Sequence, residues 1–576
     1  MTTVATPSDD AAVAVAHPST VSITTALSAA ALLAACGGGG GGGDSGAAET
    51  VPPPVVNPMP QPAGIGREQA SRFLSQAAFG GTAADIDALR SQGYSAWLDA
   101  QFALPRSSTH VEWLRSKGYD AATNNNSTAG SNDMLWRKLL SSPDVLRQRI
   151  TLALSEIIVI SIAGLAGTSF KSFAAATFMD VLEANAFGSY RTLLGEVSTT
   201  NAMGAYLSFR GNKKANAAVG SLPDENYARE CMQLFSIGLT DLNLDGTPKL
   251  SAGLPVESYG QTDVSQMARV FTGWNTDING NTPNSPDRVI RPMVQIASNH
   301  ELGEKRFLGT VIPANTDGVQ SMRLALDTLI AHPNAAPFIS RQLIQRLVTS
   351  NPSPAYVARV AAKFIDSGTG PADQRRADLK AVIKAILLDT EARSDAGLTD
   401  PAFGKLREPV LRFVQWARTF GVTSATDEWA IGDLSDPASK LGQSPLRAPS
   451  VFNFFRPGYV PPNSAIATRA LKAPEFQITT ESSVAGYVNY MQKAIANGVA
   501  GLKANTAFLL PLVNDSAALL AELNVLLAAG QLSSTTLSAL KTALDTIAVA
   551  TPAGQTNRID AAVTLVMAAP QYLAQK

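Results

Sequence analysis

The chain has 576 residues and carries 46 Lys and Arg against 47 Asp and Glu, with 45% apolar and only 16% charged residues. That length can bury a large core and allows roughly two to four domains. The near-neutral balance, with no basic stripe, gives no reason to expect a nucleic-acid partner. Ala-rich runs with few β-branched clusters favour helices. The expected fold is therefore mainly α: a large multi-helix globular body with one or two small β-hairpins and long irregular loops.

The first 36 residues read as a leader. Residues 23–35 form an apolar, small-residue run that is too short for a spanning helix but suits a secretion signal. Leu33-Ala34-Ala35-Cys36 resembles a bacterial lipobox, in which the cysteine becomes the lipid-bearing first residue. Gly37 after the cysteine suits an outer-membrane destination, by resemblance to Gram-negative lipoproteins. Asp9 and Asp10, with no Lys or Arg ahead of the run, depart from the usual positive start. The alternative is an uncleaved N-terminus. Residues 37–65 are Gly-rich and then Pro-rich, a composition that predicts a flexible tether. The ordered body is expected over 67–576.

In that body, Phe73, Leu74, Ala77 and Ala78 mark a first helix broken at Gly80-Gly81, and Thr82 caps a second that buries Ile86 and Leu89. Trp97 and Phe102 anchor a third. Residues 135–162 predict a long apolar helical region containing Trp136, Ile150, Leu154 and Ile158.

The densest mixture of polar and apolar groups is 221–274. Ser221 and Asp224 give a capping-box-like start, and Glu225/Arg229 and Asn226/Glu230 are spaced to pair on one helix face. Tyr227, Cys231, Leu234 and Phe235 form an apolar stripe, with Cys231 acting as a small hydrophobe. A second helix starts at Thr262 with Asp263 in its first turn and buries Val264, Met267, Ala268, Val270 and Phe271. Between them, Asp241, Asn243 and Asp245 followed by Gly246 match the opening of a calcium loop. Ala252 stands where a bidentate Glu is wanted, and Asp245-Gly246 is equally a hairpin turn. A bound calcium-like cation and a hairpin are both open on this pattern.

After Trp274 a hairpin is expected between 293–297 and 305–308, turning through 299–304. His300-Glu301 lacks the second His of a zinc motif, and Gly303 opposes the helix such a motif needs. His332-Pro333 opens a helix with Arg341 and Arg346 on its flank, and Glu408-Pro409 opens another. Residues 441–463 cannot be regular helix, and such long irregular stretches tend to be functional or to pack over a site. From 482 onward the text is Ala/Leu-rich and helical.

The runs PDENYARECMQLFSIGL and QTDVSQMARVFTGW, with NHELGEKRFLG and LGQSPLRAPSVFNFFRPGY, resemble the bacterial domain of unknown function 1800 family over about 67–576. In that family's Asn-Glu-Asn-Tyr-Ala-Arg-Glu-like run the first Asn is here Asp224. The resemblance lends no established activity. It does imply a possible partner, because the family often neighbours exported domain of unknown function 1501 proteins, which resemble sulfatases and phosphatases. Relatives carry a histidine-bearing run where this chain reads LALSEIIVIS, so metal chemistry resting on those histidines has no support here.

No G-x-S-x-G elbow, H-E-x-x-H run or P-loop occurs in the body, and no cofactor is predicted. Beyond His17 in the leader, a histidine-dependent mechanism has His110, His300 and His332 to draw on. Two functional readings follow. One is a lipid-anchored envelope protein that binds or scaffolds a partner. The other is an envelope hydrolase with a pocket around Asn226, Glu230, Asp263 and His300, joined by Arg229, Arg269, Trp274, Lys305 and His332. The competing reading of that set is a salt-bridge network holding the helix pair, since charges beside apolar stripes are costly to bury unpaired.

Overall fold

The two ends of the body are tied to each other and to its middle. Arg67 opens the helix Arg67–Ala77 and grips Glu522 of the helix Ser516–Ala528 through two hydrogen bonds of 2.8 and 2.7 Å. The C-terminal strand Ala574–Gln575 pairs with Lys405–Leu406. The computed structural model describes residues 64–279, 282 and 284–576. Cys36, the leader and nearly all of the tether lie outside the described residues. Within them are twenty-five α-helices and four two-stranded antiparallel sheets, most of them packed on one hydrophobic cluster that runs from Ile65 to Tyr572. The fold is mainly α, and no helix among the described residues is long and apolar enough to cross a membrane.

Local chemistry sets the helix limits. Thr82 and Asp85 cap reciprocally: the Thr82 side chain accepts the Asp85 N–H at 3.1 Å and the Asp85 carboxylate accepts the Thr82 N–H at 2.8 Å. The 135–162 region divides into Ser131–Ser141 and Val145–Ser155, because Pro143 has no N–H and its ring clashes with the preceding turn. Ile157 to Ile160 then continue as buried non-helical chain. The helix expected from 221 begins only at Asn226. Ahead of it, Asn212 holds Asp224 through both its amide groups, at 3.0 and 3.3 Å.

The hairpins pair differently from expectation. Val294–Gln295 joins Trp274–Asn275, while Lys305–Phe307 joins Thr310–Ile312. Leu308 and Gly309 both have positive φ, 47° and 75°, which is the primed turn that matches strand twist. A two-residue turn also costs less closure entropy than the longer one through 299–304. At Asp245-Gly246 the chain does turn back, with Asn243 N–H donating to the Thr247 carbonyl at 2.9 Å and Leu242 bridged to Pro248. Between Thr419 and Ala465 the described chain has no helix or strand, as the composition of 441–463 implied.

One helix rides directly on this irregular stretch. In Glu481–Asn497, a β-carbon at Gly486 would collide with the Pro437 carbonyl oxygen and with Ala438. Gly486→Ala should therefore lower unfolding stability by roughly 1–3 kcal/mol despite alanine's better helix propensity. Gly458→Ala, where the added carbon meets open space, should leave stability unchanged or raise it by about 0.5 kcal/mol. Urea denaturation of the two variants checks both signs.

Candidate functional site

The helices Asn226–Gln233 and Gln261–Val270 meet through aromatic contacts, with the Tyr227 ring stacked on Phe209 at 4.2 Å and edge-on to Phe271 at 4.7 Å. Their polar groups divide into separate local networks. Glu225 accepts hydrogen bonds from Ser265 at 2.6 Å, Gln261 at 2.8 Å and Arg229 at 3.1 Å, which together hold its carboxyl below the ordinary carboxylate range. Asn226 is exposed. Asp263 is used up by backbone, capping Gly260 N–H at 2.9 Å and accepting Leu308 N–H at 2.8 Å. Arg269 donates to Gln266 and to the Glu304 carbonyl, and sits 3.6 Å from Glu301. Glu230 is buried with Oε2 unpartnered, and burial raises its pKa. Trp274 is buried as well, with its indole N–H unpaired.

His300 and Lys305 do come together. The His300 Nδ1 lies 2.9 Å from the Thr272 carbonyl and its Nε2 lies 3.3 Å from Ser321 Oγ, which Lys305 Nζ approaches to 3.5 Å. Burial lowers the imidazole pKa and brings the lysine down to about 8. All three residues are sealed from solvent. His332 stands apart, its Nδ1 accepting the Asn334 N–H at the entry to the helix Ala335–Leu347. In the cation candidate, Asp245 accepts from the Thr247 N–H and hydroxyl, Asn243 donates to that hydroxyl, and Asp241 lies 3.6 Å from Lys249. These side chains close the turn on which they sit.

The most deeply buried charges lie elsewhere, where four distant segments meet. Arg149 comes from the middle of Val145–Ser155 and Glu156 from its C-cap, Arg346 from Ala335–Leu347, and Lys405 and Glu408 from the lead into Pro409–Thr419. Glu475 comes from the short 3-10 turn Pro474–Ile478. Lys405 Nζ lies 3.0 Å from Glu475, 3.3 Å from Glu408 and 2.9 Å from the Arg346 carbonyl. Arg346 reaches Glu156 at 3.5 Å and donates to its carbonyl at 2.9 Å. Gln443 donates to Glu408 at 2.8 Å. Burial first, and then the Glu408 charge and a hydrogen bond to it, hold Glu156 in its acid form well above pH 4.5. Against the burial penalty, Lys405 and the proton offered by Glu156 bring Glu408 down to about 2. The two carboxyls thus form an acid–carboxylate pair of opposite ionisation, the arrangement from which acid and base roles are assigned.

Beside Glu156 lies a hollow between the end of the Val145–Ser155 helix and residues 443–454. It encloses about 320 Å³ including its open mouth, of which about 20 Å³ admits the centre of a water molecule. That is room for one or two waters.

The family model described as Protein of unknown function (DUF1800) matches residues 72–574. The chain belongs to this DUF1800 family. No curated protein and no solved structure matches it.

A second network of this DUF1800 body surrounds His110. Asp180 accepts from the His110 and Val111 N–H groups and meets His110 Nδ1 at 2.7 Å, while Glu183 is 2.8 Å from Lys138. His110, Asp180 and Glu183 offer ligand atoms within 4.8 Å of one another. Lys138 and Arg106 already balance those carboxylates, so a divalent cation there would face two resident cations. No spacing pattern in the sequence marks Glu156 as part of a buried cluster. The available signal was one acidic residue inside the apolar run around LALSEIIVIS, because a charge there must be neutralised or paired.

The pair has a pH signature. Above the ordinary carboxyl value of 4.5 the unfolded chain releases the Glu156 proton while the folded chain keeps it, so this residue subtracts stability as pH rises. Glu408 acts in the opposite sense: its contribution is present above 4.5 and is lost as pH falls toward 2. Glu156→Gln preserves a donor for Glu408 and cannot ionise. Its stability relative to wild type should therefore grow as pH rises above the ordinary carboxyl value of 4.5 in urea titrations, and a constant difference would refute the assignment.

Proposed function

We propose that this DUF1800 protein is exported, anchored by a lipid on Cys36 to the outer membrane, and acts at the cell envelope by binding a partner. The observation that carries the binding reading is the distribution of the polar groups around Asn226, Glu230, Asp263 and His300. Asp263 and His300 are taken up by backbone groups, Asn226 is exposed and Glu230 is buried on its own, so the four belong to separate surroundings instead of converging on an open cleft. Support for export comes from the lipobox-like Leu33 to Cys36 and the glycine run after it. The glycines would let the body range from its anchor. A partner suggested by the family resemblance is an exported domain of unknown function 1501 protein. Palmitate labelling in a Gram-negative host should be strong for wild type, absent for Cys36→Ala, and should leave a slower-migrating precursor when globomycin blocks signal cleavage. Equal labelling of the two proteins, or recovery of wild type in the cytosol with its leader intact, overturns the anchor.

Hydrolysis is the second reading, favoured by one observation. Ser321 Oγ has an imidazole at 3.3 Å and a lysine amine at 3.5 Å, the contact between nucleophile and base that acyl transfer requires. Ser321 is fully buried, so a substrate reaches it only if the surrounding chain opens. A fluorophosphonate probe should leave the wild-type protein unlabelled under the binding reading. Labelling that disappears in Ser321→Ala would establish the hydrolase instead.

A further inference from the structure

Buried polar atoms almost always have a hydrogen-bond partner, and those without one call for an explanation. Three of them belong to residues lining the hollow beside Glu156. Glu156 Oε2, Ser444 Oγ and Asn453 Nδ2 accept or donate no hydrogen bond within the protein, Oε2 facing only the Arg346 Nε at 3.5 Å, and the residues are only 6%, 1% and 8% exposed. All three line the same hollow. Their chemistry is complementary. A carboxylic acid that shares its proton with Glu408 leaves an acceptor oxygen, Asn453 presents N–H donors, and the Ser444 hydroxyl serves either way. The remaining wall is largely apolar, including Leu152, Val159 and Leu446. One lining residue of the irregular segment, Leu446, holds a positive φ of 54°, a conformation costly for a residue with a bulky side chain.

We propose that this hollow is a binding site for a small neutral ligand that carries a hydrogen-bond donor and an acceptor side by side on a short apolar body, with a primary carboxamide as the simplest case. Its N–H₂ meets Glu156 Oε2, its carbonyl meets Asn453 and Ser444, and its alkyl part extends out through the mouth, because the enclosed space holds little more than the amide group. A carboxylate would set its charge against an acceptor oxygen, and an alkylammonium offers nothing to the Asn453 donors. The site does not depend on the lipid anchor or on any activity at Ser321.

The test uses the full chain with propionamide, propionate and propylammonium, followed by saturation-transfer NMR over a millimolar range. Propionamide should bind saturably and in preference to the two charged probes. Ser444→Ala should weaken it about fivefold, as expected for one lost hydrogen bond. Glu156→Gln, which keeps an acceptor in the same place, should retain it. Asn453→Asp, which replaces the donor while tolerating the same backbone conformation, should abolish it, with thermal melts confirming that each variant is folded. Propionate binding as well as propionamide, affinity unchanged in both Ser444→Ala and Asn453→Asp, or no saturable binding of any probe would each overturn the proposal. The last outcome would leave the hollow holding water only.

Discussion

Three cations and three carboxyl groups are buried together at the centre of this body, and taking ions out of water costs several kcal/mol for each. The cluster persists because its members come from four segments that reach one point. Lys405 touches two carboxylates and a carbonyl at once, and Gln443 supplies a neutral donor to Glu408. Removing the proton from Glu156 would place two negative charges against each other in a dry site. Burial and the neighbouring Glu408 charge both push Glu156 toward its acid form, which avoids that repulsion.

That cluster also organises what lies around it. The Val145–Ser155 helix buries Arg149 at its middle and Glu156 at its C-cap, and the chain leaving it runs buried through Ile157 to Ile160. The irregular segment after Thr419 folds over the same point and lends Gln443 to the ions and Ser444 and Asn453 to the hollow. A helix could not do this. Its backbone would satisfy itself and its side chains would diverge, whereas a turn-rich chain can bring consecutive polar groups to one side. The hollow beside Glu156 and the one beside His110 share Leu152 and Pro445 as walls, so the two buried polar networks lie close to one another.

The helix pair that dominates the sequence pattern serves a different purpose. Its aromatic contacts through Phe209, Tyr227 and Phe271 are part of the core. Apart from the buried Glu230, its charges stay near the surface and find neighbours within hydrogen-bonding reach, as Glu225 does across both helices. Surface pairs of this kind contribute little stability but set the register of one helix on the other. In this protein, a high density of charged residues in sequence marks an exposed seam between helices.

Much of the architecture was written in local sequence. The helical class, the Thr82 cap, the stripe from Tyr227 to Phe235, the turn at Asp245-Gly246 and the irregular 441–463 stretch all follow from propensity, spacing and turn chemistry. These act between residues a few positions apart and so leave a local trace. The strand 305–307 took its nearer neighbour, whose turn closes at least entropic cost, whereas 294–295 pairs back with the distant 274–275. The carboxyl cluster left almost no trace, because Arg149, Glu156, Arg346, Lys405, Glu408 and Glu475 span more than half the chain with no shared period. Only the folded body brings them together, and low dielectric then turns six ordinary side chains into one coupled group.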